Sequence, residues 1–164
     1  MEILTSFNAS THKIIDLLNQ TTNDTLVFKM DDAKWSIADI IEHINISDKS
    51  GYVAMLRTAP APSKDILEET QERLRKLAAD TNFIAIAPAS AAPLGKIKST
   101  EEALALFQPT RNRIADFVSK NELESLAIGF EHPRLGFLTR HQWLLFLAWH
   151  SNHHAKQIET ILRY

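Results

Sequence analysis

Two histidines four residues apart carry the clearest chemical signal in the chain. His150 and His154 stand in the run of residues 143–162. On a helix, side chains four positions apart project from one face, with Cβ atoms about 5–6 Å apart. The two imidazoles would therefore point toward a common place, which is the spacing that a shared metal ion needs. Without the intervening glutamate of a zincin motif, the spacing alone fits hydrogen-bonded core histidines equally well.

The apolar residues around this pair predict that it faces the protein interior. They recur at three- and four-residue steps that run through both histidines: Trp143, Leu147, Ile158, Ile161 and Leu162. A buried imidazole without a polar partner costs free energy. A metal ion would serve both rings at once, and carboxylates or water are the alternative partners.

The composition limits what such a site can be. The 164 residues suit a single domain over residues 1–164. A net charge of −2 without a basic stripe argues against nucleic-acid binding. The chain has no cysteine, which excludes disulfides, cysteine metal ligands and a cysteine nucleophile. Any metal must therefore bind to histidine, carboxylate or water.

Nothing in the sequence indicates a membrane segment. The N-terminus lacks the pattern of a secretory signal. The most apolar run, residues 143–149, is far shorter than the ~20 residues that cross a bilayer. We therefore expect a cytoplasmic protein.

Helix-period patterns and only four glycines favour an all-α fold. Helices are predicted over residues 3–19, 37–57 and 64–79, from Ser99 or Thr100 to about residue 120, and from Thr139 to the end. The connections are residues 20–34, with a short extended piece at 26–28, an irregular segment at 81–98 that could roof a pocket, and a turn-rich segment at 121–138. The predicted architecture is an up-down four-helix bundle, in which residues 64–79 form an auxiliary helix.

The second main helix supplies a third histidine. Ser36 and Asp39 have the spacing of a capping box, which predicts the helix start. Isoleucines flank His43 on the inward face of that helix. His43 is therefore a candidate third ligand, and a hydrogen-bonded core histidine is its alternative interpretation.

Three separated pieces of the sequence together resemble the DinB-like superfamily. They are Trp35-Ser36 opening the helix that carries His43, the segment 130–139, and the segment 150–158. The resemblance implies a four-helix bundle with a divalent metal held by one histidine of the second helix and two of the last. Those residues are His43, His150 and His154. His153 has the spacing to replace His154, but the family pattern favours His154.

The same resemblance implies an enzyme. The superfamily contains metal-dependent transferases and isomerases that use low-molecular-weight thiols, together with members of undefined activity. We expect thiol-dependent transfer to a small-molecule substrate, with metal-dependent hydrolysis as the alternative and a non-catalytic metal- or ligand-binding module as a third reading. Zinc or nickel is the expected ion, and iron or manganese also suits such ligands. A homodimer is the expected assembly.

The roles of the other polar and aromatic residues near the predicted site are less clearly indicated by the sequence. No general base is evident, because Glu42 adjoins His43 and should project to a different side, and Asp48 has no assigned role. Gln157 is a candidate hydrogen-bond partner of a ligand or of metal-bound water, or else an exposed glutamine. His132, before a proline, is expected to be structural. Trp35 and Trp149 are expected to pack near the site, and ordinary core packing is the favoured interpretation of each. Substrate contacts are expected from residues 81–98 and from the loop before Thr139.

Overall fold

The computed structural model describes residues 2–79 and 89–164. These residues form six α-helices: α1 (Glu2–Asn19), α2 (Asn23–Val27), α3 (Ile37–Met55), α4 (Lys64–Ala79), α5 (Thr100–Ser119) and α6 (Arg140–Leu162). One 3₁₀ turn covers Ala89–Ala91. Three strands complete the description: β1 (Thr58–Ala59), β2 (Leu126–His132) and β3 (Gly136–Thr139).

Helices α1, α3, α5 and α6 form a four-helix bundle, which confirms the predicted all-α fold. Helix α1 packs against α5 and α6, and α3 packs against the same two helices. Helices α1 and α3 therefore lie diagonally opposite each other in the bundle. They are nevertheless the first and second of its four helices in chain order. Helix α4 is the predicted auxiliary helix and packs on α6.

The side-chain contacts also fix the helix directions. Thr110 bonds Asn45 and Phe117 packs on Tyr52, so α5 runs in the same direction as α3. The bundle is therefore four-helical as predicted, but its helices do not alternate in the predicted up-down order. Helix α6 runs opposite to α3, since His43 meets His150 whereas Gly51, further along α3, lies against Leu147. Two neighbouring helices that run the same way need a long crossover. Residues 56–99 supply it, and they contain β1 and α4.

Helix starts follow the predicted caps. The Ser36 side chain accepts from the Asp39 backbone N–H, and Asp39 accepts from that of Ser36, which completes the capping box at α3. Thr139 and Gln142 form a second capping box at α6, and Ser99 caps α5. Each cap satisfies backbone N–H groups that the first helical turn leaves free.

Two predicted connections differ from the structure. The turn-rich segment 121–138 contains an antiparallel hairpin, in which β2 pairs with β3 on one side and β1 on the other. Its turn needs a positive φ, and Gly136 adopts +74°. The extended piece expected at 26–28 was also wrong, because Asn23–Val27 is a short helix capped by Thr22. At α2 the local cap outweighed a weak apolar pattern, whereas the hairpin depends on pairing with β1 and on contact with α3.

The hairpin lies directly on the end of α3. A Cβ at Gly129 would overlap the backbone carbonyl of Val53, so this close approach requires glycine. The bundle interior contains two apolar clusters, one around Trp143 and Phe7 near the hairpin and one around Ile41 and Ile158 at the other end. No helix in the described ranges has the length and apolar character needed to span a bilayer.

Candidate metal centre

The structure brings His43, His150 and His154 together between α3 and α6. One ring nitrogen from each histidine lies within 4.8 Å of the others, and all three residues are buried. His150 Nε2 lies 3.1 Å from His43 Nε2 and 3.0 Å from His154 Nε2. We refer to these three residues as the histidine cluster.

A close crossing of α3 and α6 sets these distances. A Cβ at Gly51 would lie 3.0 Å from Leu147 Cδ1 and 3.1 Å from Trp143 Cε3, so a larger residue would push the helices apart. Because the helices run in opposite directions, His43 then meets the histidines that lie one and two turns beyond Leu147. The spacing of four residues places both rings on the face that meets α3.

A backbone carbonyl fixes the protonation of His43. Its Nδ1 lies 2.8 Å from the Ala91 carbonyl oxygen. A carbonyl can only accept, so Nδ1 carries the proton. In the neutral ring, Nε2 then presents a lone pair to the centre of the cluster.

Gln157 does the same for His154. The Gln157 side-chain oxygen lies 2.8 Å from His154 Nδ1, and its nitrogen lies 3.4 Å from His153 Nε2. With the amide oriented in this way, His154 Nδ1 donates and Nε2 holds a lone pair. Gln157 therefore hydrogen-bonds a ring of the cluster itself, one of the roles that the sequence suggested for it.

His150 is the member whose hydrogen bonding is incomplete. Its Nδ1 is buried, and within the described residues it has no hydrogen-bond partner. The ring stacks on Phe146, with centroids 5.3 Å apart. Only Nε2 makes polar contacts, and it faces two lone pairs from the neighbouring rings.

Burial keeps the cluster neutral. Desolvation lowers the pKa of His43, and it lowers that of His154 to about 3, where the charge of His43 adds to the effect. The pKa of His150 falls well below its usual range, first through burial and then through the charges of its histidine neighbours. At neutral pH the rings therefore carry no charge, and protons do not compete for their lone pairs.

The donor set fits a divalent cation. With Nδ1 protonated in the neutral rings of His43 and His154, their Nε2 atoms carry lone pairs and no proton. Only His150 Nε2 can then carry a proton at the centre of the cluster. A proton there can be shared between two acceptors, whereas a cation would accept all three lone pairs. Histidine ligands whose other ring nitrogen donates to a carbonyl are the usual arrangement at protein metal sites. Three imidazoles also leave coordination positions open, as catalytic sites do.

The other predicted residues lie around this cluster. His153 is half-buried, its ring centroid is 5.3 Å from that of His154, and it is outside the group of converging nitrogens. The Trp35 ring is 4.8 Å from the His43 ring, and Trp149 is 5.6 Å from His153. Both tryptophans therefore flank the site, as expected.

His132 has the structural role that the sequence suggested. Its Nδ1 accepts the backbone N–H groups of Arg134 and Leu135, and its ring packs edge-on against Phe146 at 4.6 Å. It is the last residue of β2, however, rather than part of an irregular loop. Through Phe146, His132 supports the ring on which His150 stacks.

The three carboxylates of α3 all have partners, and that of Asp39 belongs to the capping box. Glu42 accepts four backbone N–H groups of residues 94–97. Asp48 pairs with Arg111 at 2.8 Å, and both side chains are fully buried. Sequence reasoning assigned neither role, because the partners lie more than 50 residues away. Nothing in the residues around Glu42 or Asp48 indicates partners at that distance in the sequence.

The segment expected to supply substrate contacts is described only in part. Residues 81–88 lie outside the described residues. Residues 89–98 reach the cluster through the Ala91 carbonyl. The loop expected before Thr139 is the β2–β3 hairpin, which meets the site through His132 and Phe146.

The chain is similar to known proteins over nearly its whole length. It matches the model of the DinB superfamily over residues 6–158. It is 24% identical over 156 residues to YuaE of Bacillus subtilis (strain 168), an uncharacterized protein, and this covers 94% of each chain. Its fold resembles that of YfiT from Bacillus subtilis, which is described as a probable metal-dependent hydrolase with an unusual four-helix bundle topology. That match has a TM-score of 0.63 and 16% identity, covering 99% of this chain and 85% of YfiT. At this identity the likeness to YfiT shows the fold alone.

Proposed function

This chain belongs to the DinB superfamily, and on that premise we propose that it is a metal-dependent enzyme whose divalent ion is held by His43, His150 and His154. The observation that carries the proposal is the convergence of three buried imidazoles within 4.8 Å. Two of them are held with their lone pairs toward the same point by Ala91 and Gln157. Convergent lone pairs repel one another, so histidines that served only for packing would not be expected to have this arrangement.

When bound, such an ion lowers the pKa of a coordinated thiol or water and polarises an electrophile. The protein supplies binding and orientation. Ala91 and Gln157 hold the Nδ1 protons of His43 and His154, and thereby keep both Nε2 atoms available. Trp35 packs beside His43 and Phe146 stacks on His150, so these rings exclude water from two sides. Zinc or nickel is the proposed ion, with iron or manganese as alternatives.

The surroundings of the cluster favour thiol-dependent transfer over hydrolysis. Attack by water usually requires a general base, and Glu42 and Asp48 are both committed to other partners. A thiol with a lowered pKa is already ionised and attacks an electrophile without such a base. The chain contains no cysteine. We therefore propose that the thiol belongs to a low-molecular-weight cosubstrate.

Metal-dependent hydrolysis is the second candidate function. It is supported by the description of YfiT as a probable metal-dependent hydrolase. Its base would have to be a residue other than Glu42 or Asp48, or a group of the substrate. A non-catalytic metal-binding module remains the third reading.

Metal analysis tests the site before any substrate is known. Protein purified without a histidine tag is reconstituted with zinc, nickel, manganese or iron and analysed by mass spectrometry of the elements. We expect about one ion per chain, lost in His43→Ala, His150→Ala and His154→Ala. His12→Ala is the matched control, because His12 is exposed on α1. A parent protein that stays empty with every metal would refute the metalloenzyme proposal.

Turnover then separates the three readings. The loaded protein is incubated with small thiols and a panel of electrophiles, and in parallel with ester and amide substrates without thiol. Thiol-dependent consumption of electrophile supports the transferase, and hydrolysis without thiol supports the second candidate. Stoichiometric metal with neither activity leaves the binding module. The homodimer and the cytoplasmic location stay predictions, and sedimentation equilibrium of the loaded protein tests the first of them.

A further inference from the structure

Glu42 makes an unusual set of contacts for a residue adjacent to a candidate metal ligand. Its side chain is 5% exposed. One carboxylate oxygen accepts the backbone N–H groups of Leu94 and Gly95, at 2.5 and 2.9 Å. The other accepts those of Lys96 and Ile97, also at 2.5 and 2.9 Å. Four consecutive amides therefore converge on one side chain, and we call residues 91–97 the strap.

The backbone of the strap must curve to bring four successive N–H groups to one point. Gly95 permits this curvature with a φ of +66°, a region that other residues rarely adopt. A Cβ at Gly95 would meet no heavy atom within 4 Å, so conformation rather than space requires glycine there. The side chain of Leu94 is largely exposed, whereas that of Ile97 is buried. The strap is thus packed at both ends, through the buried Ile97 and through the half-buried Ala91, whose turn Ala89–Ala91 contacts α3, whereas residues 94–96 between them are exposed.

The same strap supplies the hydrogen bond that orients His43. Ala91 lies three residues before the first amide held by Glu42, and its carbonyl oxygen accepts from His43 Nδ1 at 2.8 Å. Ala91 is itself only half-buried and small. Its position depends on the contact of its own 3₁₀ turn with α3 and on the residues that follow, which Glu42 holds against α3.

From these contacts we propose that Glu42 is a positioning residue of the histidine cluster, acting through the strap to hold the Ala91 carbonyl on His43 Nδ1. The inference rests on the proposed function, since it concerns how a metal ligand is presented. Glu42 fixes which nitrogen of His43 carries the proton, and hence which nitrogen faces His150 and His154. The backbone carbonyl of Ala91 cannot be removed by substitution, so Glu42 is the position at which this orientation is open to mutation.

A merely structural Glu42 would behave differently. In that case its loss would lower the stability of the fold and leave the tautomer of His43 unchanged. Two measurements separate these roles. Long-range ¹⁵N–¹H NMR of the metal-free protein reports which ring nitrogen of His43 is protonated, and titration with zinc alone reports affinity.

The main variant is Glu42→Gln. The amide retains one accepting oxygen but turns its NH₂ group toward two of the four backbone donors, so half of the hydrogen bonds are lost. We expect a mixture of His43 tautomers in place of the single Nδ1–H form, and zinc affinity about tenfold weaker, the usual lower range for outer partners of metal-bound histidine. Cobalt substituted for zinc should also show an altered visible spectrum.

Two further variants keep the test decisive. Glu102→Gln is the matched control, because Glu102 accepts the N–H of Lys98 at 2.7 Å, directly after the strap, and is exposed. It should leave the His43 tautomer and zinc affinity unchanged. If Glu42→Gln fails to fold, Gly95→Ala loosens the strap through backbone strain alone and should weaken zinc binding about threefold or more.

The outcomes distinguish this inference from the proposed function. A parent that binds none of zinc, nickel, manganese and iron refutes the function, while the tautomer measurement on metal-free protein still decides the role of Glu42. Zinc binding by the parent with an unchanged tautomer and unchanged affinity in folded Glu42→Gln overturns the inference and leaves the function intact. Equal weakening by Glu102→Gln would also overturn it, because the effect would then not depend on the Ala91 carbonyl.

Discussion

The histidine cluster and a second buried polar group both lie on helices α3 and α6, but they differ in how their charges and hydrogen bonds are balanced. The second group, which we call the arginine layer, consists of Ser10, Asp48, Arg111 and Ser151. The Arg111 guanidinium pairs with Asp48 at 2.8 Å and donates to both serines. Its charge is thus balanced within the fold, whereas the histidine cluster contains only groups of one kind.

Adjacent residues belong to the two groups. His150 is followed by Ser151 on α6, and His43 precedes Asp48 on α3 by little more than one turn. The arginine layer separates the two apolar clusters of the bundle and crosslinks α1, α3, α5 and α6. The histidine cluster crosslinks α3, α6 and the strap but leaves His150 Nδ1 without a partner in the described residues. In the layer, Asp48 Oδ1 likewise has no hydrogen-bond partner in the described residues. The two groups therefore differ in charge: the layer pairs a cation with an anion, whereas the cluster brings together three neutral rings, as the proposed metal site requires.

The largest expected effect is on the arginine layer. Arg111→Met removes the counter-charge of a buried carboxylate, and we expect the free energy of unfolding to fall by roughly 3–5 kcal/mol. Urea unfolding at pH 7 measures it. The double variant Arg111→Met/Asp48→Leu removes both charges and should recover most of the loss. A single variant as stable as the parent would show that the layer is not what holds the bundle together.

The next largest effect is expected at the histidine cluster. Here stability should depend on bound metal rather than on the side chains alone. Zinc at 100 times its dissociation constant should stabilise the parent by about 2.7 kcal/mol, and His154→Leu should show no such gain. Without metal, His154→Leu should stay within about 1 kcal/mol of the parent, because an apolar side chain replaces a buried imidazole that lacks a counter-charge. Thermal unfolding with and without zinc tests both halves. A large loss in the metal-free state would make the cluster structural, like the layer.

A smaller effect is expected at the partner of His154. Gln157→Leu removes the acceptor of the His154 Nδ1–H bond, and we expect zinc affinity to fall about tenfold, or about 1.4 kcal/mol. Gln157→Glu keeps an acceptor and is the matched control. If both variants bind zinc as the parent does, the hydrogen bond does not orient the ligand. Competition with a chromophoric chelator provides the affinities.

Lowering the pH should change the contributions of the two groups to the free energy of unfolding in opposite directions. The folded pKa of His154 is lowered to about 3, below the 6.5 of the unfolded chain, so the unfolded state binds the extra proton and stability falls as the pH drops below 6.5. Burial, only partly offset by Arg111, raises the pKa of Asp48 to about 6 from 3.8. The folded state then binds the extra proton, and this contribution to stability grows as the pH drops from 6 to 4.

Substitution separates these contributions. For metal-free protein between pH 6.5 and 4.5, His154→Leu should reduce the fall in the free energy of unfolding by about 1 kcal/mol per pH unit. Asp48→Asn should make the fall steeper. Urea midpoints at half-unit pH steps measure both slopes. If both variants change the slope of the free energy of unfolding against pH in the same direction, the opposite roles of His154 and Asp48 are contradicted.

Local signals accounted for most of the helices and for the candidate ligands. The capping residues Ser36, Ser99 and Thr139 stand where the structure has caps, because capping uses residues within one turn. The inward face of His150 and His154 followed from periodicity, which depends only on helix geometry. The apolar pattern around His43 made it a candidate third ligand, the resemblance to the DinB-like superfamily implied the same role, and the structure places it against the pair.

The hairpin and the short helix α2 were missed for a physical reason. Residues 126–139 do carry hairpin signals, with Gly136 after a Pro-Arg-Leu turn, but the alternation is short and β2 is only half-buried. Its stability comes from pairing with β1, nearly 70 residues earlier, and from contact with α3. A strand stabilised by distant neighbours gives little evidence of itself in its own residues.

Residue patterns alone predicted the five longer helices, the caps of three of them and the inward direction of the three histidines, because each depends on residues within a few positions of one another. Only the tertiary structure decided that α3 and α5 run in the same direction, that Asp48 is balanced by Arg111, and that Glu42 holds the strap. These depend on contacts between residues more than 50 positions apart, whose formation is a balance of burial and charge across the whole bundle. Buried polar side chains on neighbouring turns thus form a charge-balanced ion pair in one place and a group of three neutral imidazoles in the other.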